Sequence, residues 1–137
     1  MDWAPLIEAV IAAREHAYAP YSGFRVAAAV LTSDGRVLSG CNIENRSFGA
    51  TLCAERVAIA TALAAGAKQI TAIAVLADTD PPAPPCGLCL QVLTEFAGQD
   101  LPVLLMNPRG EQVEYRLADL SPHPFQVPNE GLGRRSS

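Results

Sequence analysis

The sequence predicts a three-layer α/β/α sandwich around a mixed five-stranded sheet, folded as one domain. Three observations lead there. The chain is 137 residues long, enough for one core rather than two. It is 50% hydrophobic and 18% charged, a balance that excludes a disordered chain. Its apolar segments alternate between helical spacing and short continuous runs, in the order α-β-β-α-β-α-β-β with a short helical end. Strands alternating with helices imply a sheet covered on both faces, partly parallel after an antiparallel hairpin.

Each element has a local reason. Asp2 is expected to cap a first helix with Pro5 in its first turn, where a missing N–H does no harm. Leu6, Ile7, Val10 and Ile11 recur at helical spacing, and the helix should stop before Pro20. Phe24 to Leu31 reads as a buried strand, Asp34-Gly35 as a hairpin turn, and Val37 to Cys41 as the returning strand. Cys53 to Ala65 is alanine-rich and ends at Gly66, which suits a helix with a glycine stop. Ile70 to Leu76 is another buried strand, followed by a proline-rich loop from Asp80 to Pro85. Cys86 to Ala97 reads as a third helix closed by Gly98. Pro102 to Met106 and Gln112 to Arg116 are strands around the turn Asn107-Pro108-Arg109-Gly110. Residues 1–130 form the expected domain, and Gly131 to Ser137 a mobile tail.

Charge and composition narrow the function. Ten Lys and Arg against fourteen Asp and Glu give a net charge of −4, which argues against polynucleotide binding and favours a small neutral or cationic ligand. No apolar run is long enough to span a bilayer, and the start Met1-Asp2-Trp3 lacks a basic n-region, so a reducing, cytoplasmic compartment is expected. There, four cysteines suit metal or catalytic chemistry better than disulfides.

Three of them fall at predicted helix starts, where the partial positive charge favours thiolates. Cys86 and Cys89 sit one turn apart, and Cys53 lies far enough upstream for its helix to run parallel to theirs. Three thiolates suit tetrahedral Zn²⁺, one per chain, with the fourth position left for water. Glu55, in the first turn after Cys53, can face that position and shuttle protons. Other readings stay open on the residues alone. Cys86-Gly87-Leu88-Cys89 also resembles a dithiol redox motif, and Cys41 could complete a closed four-cysteine structural site or be a small buried hydrophobe.

Cys53-Ala54-Glu55 followed by Pro85-Cys86-Gly87-Leu88-Cys89 resembles the signature of zinc-dependent nucleobase deaminases. The wider pattern runs from Tyr18-x-Pro20-Tyr21-Ser22-x-Phe24 through Asn42-Ile43-Glu44-Asn45 to Leu120-Ser121-Pro122-x-Pro124-Phe125, and is similar to the small homotetrameric cytidine deaminases. The resemblance implies that fold, and hydrolytic deamination of cytidine and deoxycytidine to uridine and deoxyuridine in pyrimidine salvage. A zinc-activated water would be the nucleophile, Cys53, Cys86 and Cys89 the metal ligands, and Glu55 the catalytic proton shuttle. It implies Phe24, Asn42, Glu44, Ala54 and Phe125 as substrate-binding residues, with Asn42 and Glu44 on the ribose and Phe24 stacked on the base. Neighbouring subunits would complete each site, Phe125 reaching a neighbour's pocket. Asn42 and Glu44 are also residue types that stabilise turns, and Phe24 could be core packing. Arg56 would draw charge from the sulfurs, or else form a surface ion pair.

The chain departs from the family pattern at a few places. Leu90 follows Cys89 where an arginine is usual, Ala27 follows Val26 where glycine is usual, and Arg46 and Phe48 replace a small apolar residue and a tyrosine. Arg46 therefore bears on whether 5′-phosphorylated or modified nucleosides are accepted. The competing functions are a same-fold deaminase of another aminopyrimidine nucleoside or nucleoside antibiotic, a thiol–disulfide oxidoreductase, and a zinc-stabilised binding protein without catalysis.

Overall fold

The computed structural model describes residues 1–126, so the tail expected over 131–137 lies outside them. Helix α1 spans Ala4–Arg14, strand β1 Val26–Thr32 and strand β2 Val37–Cys41. A single 3₁₀ turn at Phe48–Ala50 leads to α2 (Ala54–Ala64), β3 (Ile70–Ala77) and α3 (Gly87–Phe96). Strands β4 (Pro102–Met106) and β5 (Gln112–Arg116) and a last turn of helix, α4 (Leu117–Leu120), follow. The sheet order is β2-β1-β3-β4-β5. β1 is antiparallel to both β2 and β3, and β4 is antiparallel to β5. β3 and β4 are parallel, and α3 is the crossover that a parallel pair requires. This is the expected mixed sheet.

Strand residues alternate between two cores. Ala28, Val30, Ile73, Val75, Val103 and Leu105 face α2 and α3. Ala27, Ala29, Ala72, Ala74, Leu104 and Met106 face α1, which contributes Leu6 and Val10. Because both faces are covered there, the central strands β1, β3 and β4 read as almost unbroken apolar runs. Gly40 sets how close α2 lies to β2: a Cβ there would stand 2.5 Å from Ala58 N and 2.8 Å from Val57 Cγ1. The missing side chain thus brings the helix that carries Cys53 and Glu55 onto the sheet.

Two starts differ from expectation, besides one-residue shifts at the ends of β1 and β3 and at both ends of α2 and α3. Asp2 is not the cap residue; Trp3 occupies that position, its carbonyl accepting the Ile7 N–H at 2.9 Å. Asp2 Oδ1 accepts only the Ala4 N–H, at 3.1 Å, and the Trp3 indole donates to Glu114 at 3.0 Å, tying the helix start to β5. The first strand begins at Val26 rather than Phe24, because a side chain satisfies this stretch. Asn42 Nδ2 donates to Phe24 O at 2.7 Å, and Asn42 Oδ1 accepts Val26 N–H at 3.0 Å.

Candidate metal centre and active site

Cys53 and Cys86 are the N-cap residues of α2 and α3, both with extended backbone, and Cys89 lies in the first turn of α3. The parallel strands and their crossover bring the two helix starts together. Cys53 Sγ is 3.8 Å from Cys86 Sγ, which is 3.5 Å from Cys89 Sγ. All three sulfurs lie within 4.8 Å of one another. Sulfurs about 2.3 Å from a tetrahedral Zn²⁺ stand roughly 3.8 Å apart, so the spacing fits that ion. The separations exceed the about 2.05 Å of a disulfide, and all four cysteines are free. Cys41 is not in the cluster; it pairs with Ala27 at the end of β2, half-buried, which rules out the closed four-cysteine site.

The electrostatics ask for a cation. Burial, the Glu55 carboxylate and the Cys53 sulfur push the Cys89 thiol far up. Burial also works against the Cys86 thiolate, but the Cys89 and Leu88 backbone N–H groups and the neighbouring thiols leave it below the usual thiol value. Three thiolates this close repel one another unless a positive ion sits among them. Arg56 supplies part of the compensation, its Nη2 donating to Cys53 Sγ at 3.5 Å and to Thr51 O at 3.4 Å. The Cys53 contact in turn raises the Arg56 pKa, and Arg56 Nε is buried without a partner. The surface ion pair is thus not what this arginine makes among the described residues. Leu90, where arginine was expected, packs against the core under α3 instead.

Glu55 is 5% exposed, and burial raises its carboxyl above the usual carboxylate range against the pull of its own N–H and of Arg56. It lines a cavity of about 220 Å³ together with Phe24, Asn42, Cys53, Ala54 and Cys86. The redox reading leaves Cys53 and Glu55 without a part, although both share this cavity with Cys86. Phe24 is 40% exposed, which excludes core packing. A second hollow of about 410 Å³, lined by Tyr21, Ser22, Glu44, Asn45 and Phe48, meets the first at Thr51. Ligand pockets typically hold about 300–1,000 Å³, so a ligand filling the smaller cavity would extend into the larger. A larger hollow of about 480 Å³ opens on the other side of the sheet, beside α1, but neither cysteine nor histidine lines it.

Asn42 and Glu44 both reach the segment before β1. Glu44 Oε1 accepts the Tyr21 and Ser22 N–H groups at 3.0 and 3.1 Å, and Oε2 accepts the Ser22 hydroxyl. The Ser22 hydroxyl, against desolvation and helped by the two N–H groups, holds the Glu44 carboxyl below its usual value. The predicted site residues therefore gather at one place, with one exception. Phe125 is 73% exposed; only its carbonyl is engaged, by Gln91 Nε2 at 3.0 Å. Arg46 is exposed on the approach to the 3₁₀ turn.

Sequence reasoning missed a second tier. Asn107 Nδ2 and Arg109 Nη2 donate to Thr79 O at 3.0 and 3.1 Å, and Arg109 Nη1 meets Asp78 at 2.9 Å. The β4–β5 turn thus anchors the start of the loop that delivers Ala83, Pro84 and Cys86 to the cavity. The turn Asn107-Pro108-Arg109-Gly110 and the proline-rich loop were each visible in the sequence; the hydrogen bonds that join them were not.

Comparison with known proteins converges on one group. Residues 4–105 match a family model described as the cytidine and deoxycytidylate deaminase zinc-binding region. The chain is 49% identical over 125 residues to a cytidine deaminase of Halalkalibacterium halodurans, covering 91% of this chain and 95% of that one. It is 41% identical over 135 residues to a cytidine deaminase of Mycobacterium tuberculosis, covering 98% of each. Its fold superimposes on a crystal structure of cytidine deaminase from Burkholderia pseudomallei with a TM-score of 0.86 and 49% identity, covering 91% of this chain and 100% of that one.

Proposed function

The chain belongs to the cytidine and deoxycytidylate deaminase family, and from that premise we propose that it hydrolyses cytidine and deoxycytidine to uridine and deoxyuridine, releasing ammonia. Zinc is its cofactor, one per chain, held by Cys53, Cys86 and Cys89. The observation that carries this reading is a buried carboxylate, Glu55, sharing one cavity with the Cys53 and Cys86 thiols. When bound, zinc supplies Lewis acidity that makes water nucleophilic near neutral pH.

The chain's own residues supply the rest. Glu55 takes one proton from the attacking water and delivers it to N3 of the pyrimidine, then takes the second from the new C4 hydroxyl and delivers it to the departing amino group. As the C4–N bond breaks, a C4 carbonyl replaces it. A carboxyl whose pKa burial has raised suits a group that must both accept and donate. Phe24 flanks the base, and Ala54, the first residue of α2, lines the same wall. Asn42 and Glu44 face the sugar, which extends into the adjoining hollow. Arg56 withdraws charge from Cys53 by hydrogen bonding.

The protein acts as a homotetramer in the cytoplasm, within pyrimidine salvage. Two features support the assembly: Phe48 and Phe125 are 81% and 73% exposed, and Tyr18, Tyr21 and Leu88 are exposed as well. A neighbour's Phe125 would close the mouth of each cavity. Free cysteines fit a reducing compartment, and among the described residues no helix is long and apolar enough to cross a membrane.

The test is ammonia release from both nucleosides, with zinc measured per chain. Glu55→Gln keeps the size of the side chain but cannot shuttle a proton, so turnover should fall at least about 10³-fold with zinc retained. Near-normal turnover in that variant would falsify the assigned role.

A further inference from the structure

Ser22 joins two parts of the site that the sequence motifs treat separately. Its hydroxyl donates to Glu44 Oε2 and accepts the Phe24 N–H at 3.0 Å. Glu44 Oε1 already holds the Tyr21 and Ser22 N–H groups. A carboxylate offers about four acceptor positions, so three are filled and the fourth, on Oε2, remains for a ligand. The direction of that last position follows from the donor sharing the same oxygen, which is the Ser22 hydroxyl. The Phe24 carbonyl is fixed by Asn42 Nδ2 at 2.7 Å. Phe24 is therefore held at its carbonyl by Asn42 and at its N–H by Ser22.

We propose that Ser22 is a positioning residue for the reaction: its hydroxyl aims the free acceptor of Glu44 at a sugar hydroxyl and holds Phe24 along the base. This rests on the assignment of Glu44 to the sugar and Phe24 to the base. Ser22 and Glu44 line the hollow that meets the catalytic cavity, so the pair stands where the far end of a nucleoside would lie. A hydroxyl that accepts the N–H two residues on is also a common local turn device. A turn device alone affects folding; it does not select between substrates by their sugar hydroxyls.

The experiment uses that distinction. The zinc-loaded wild type, Ser22→Ala and Ser22→Thr are assayed with cytidine and with 2′,3′-dideoxycytidine, which lacks both ring hydroxyls of the sugar. In Ser22→Ala the KM for cytidine should rise about tenfold, the size expected when one hydrogen bond to a charged group is lost. The KM for the dideoxynucleoside should rise by no more than about threefold, the share that Phe24 contributes, and kcat should move less than KM. Ser22→Thr keeps the hydroxyl and should restore the preference. Equal losses on both substrates, or failure of threonine to rescue, overturn the proposal and leave Ser22 a turn residue. A wild type that deaminates both nucleosides equally well overturns the sugar assignment of Glu44, and the proposal with it. A wild type that releases ammonia from neither overturns the deaminase reading itself.

Discussion

Arg56 stands where three sulfurs crowd, and one of its nitrogens finds no partner. Nη2 reaches Cys53 Sγ and Thr51 O, while Nε is buried with no partner. An unpaired buried donor costs about 1–3 kcal/mol, so the guanidinium is kept here against a penalty. What offsets it is the negative charge that the thiolates gather. Arg56→Ala should therefore weaken zinc binding about 10- to 100-fold, the range found when groups behind metal ligands are removed. Competition with a chromophoric chelator measures this, and unchanged affinity together with unchanged turnover would speak against the role. At this scale the legible residues were those proposed to do the chemistry with their own side chains. Cys53, Glu55, Cys86 and Cys89 announced themselves by spacing at helix starts. Thr51, which offers Arg56 its backbone carbonyl, and Thr79, which offers Asn107 and Arg109 its own, left no mark, because any residue type has a carbonyl. Ser22 lay within a quoted motif, but its use depends on a contact 22 residues away in the chain.

Among the elements, α2 matters most, since it carries Cys53 at its cap and Glu55 in its first turn, the ligand and proton shuttle proposed above. Its depth on β2 is set by Gly40. Gly40→Ala would drive a methyl group against backbone atoms of Val57 and Ala58, which cannot swing aside as a side-chain tip can. Overpacking of this kind costs about 1–3 kcal/mol or more. The denaturation midpoint should drop accordingly, and zinc per chain should fall with it as Cys53 moves away from Cys86. A variant with wild-type stability would show that the helix floats more freely than its packing implies. Strands β2, β4 and β5 were readable to the residue because glycine, proline and asparagine punctuate them. The start of β1 was not, since the Asn42 side chain stands in for a strand partner there. Three residues of 3₁₀ turn at Phe48–Ala50 are too short to carry a period, so the sequence offered nothing to detect.

For the whole molecule, the exposed aromatic residues around the cavity mouth mean that a lone chain would present a large apolar rim to water. Light scattering should find four chains at assay concentrations, and dilution to monomer should abolish turnover. A fully active monomer would leave that rim unexplained. The sequence made the rim's aromatics visible but not their clustering, which needs the pairings of Tyr18 with Ile43 and of Ile43 with Leu52. The alanine-lined sheet has a different consequence, in calorimetric terms. Ala27, Ala28, Ala29, Ala72 and Ala74 are wholly buried, as are Ala54, Ala58 and Ala62 on α2. Alanine has no rotamers to freeze, so this interior orders its side chains at little entropic cost. It also hides less hydrocarbon per residue than leucine would. The heat-capacity increment of unfolding, typically about 12–15 cal/mol/K per residue, should therefore fall below that range when normalised per residue. A smaller increment flattens the stability curve, so the protein should lose little stability on cooling and resist cold inactivation.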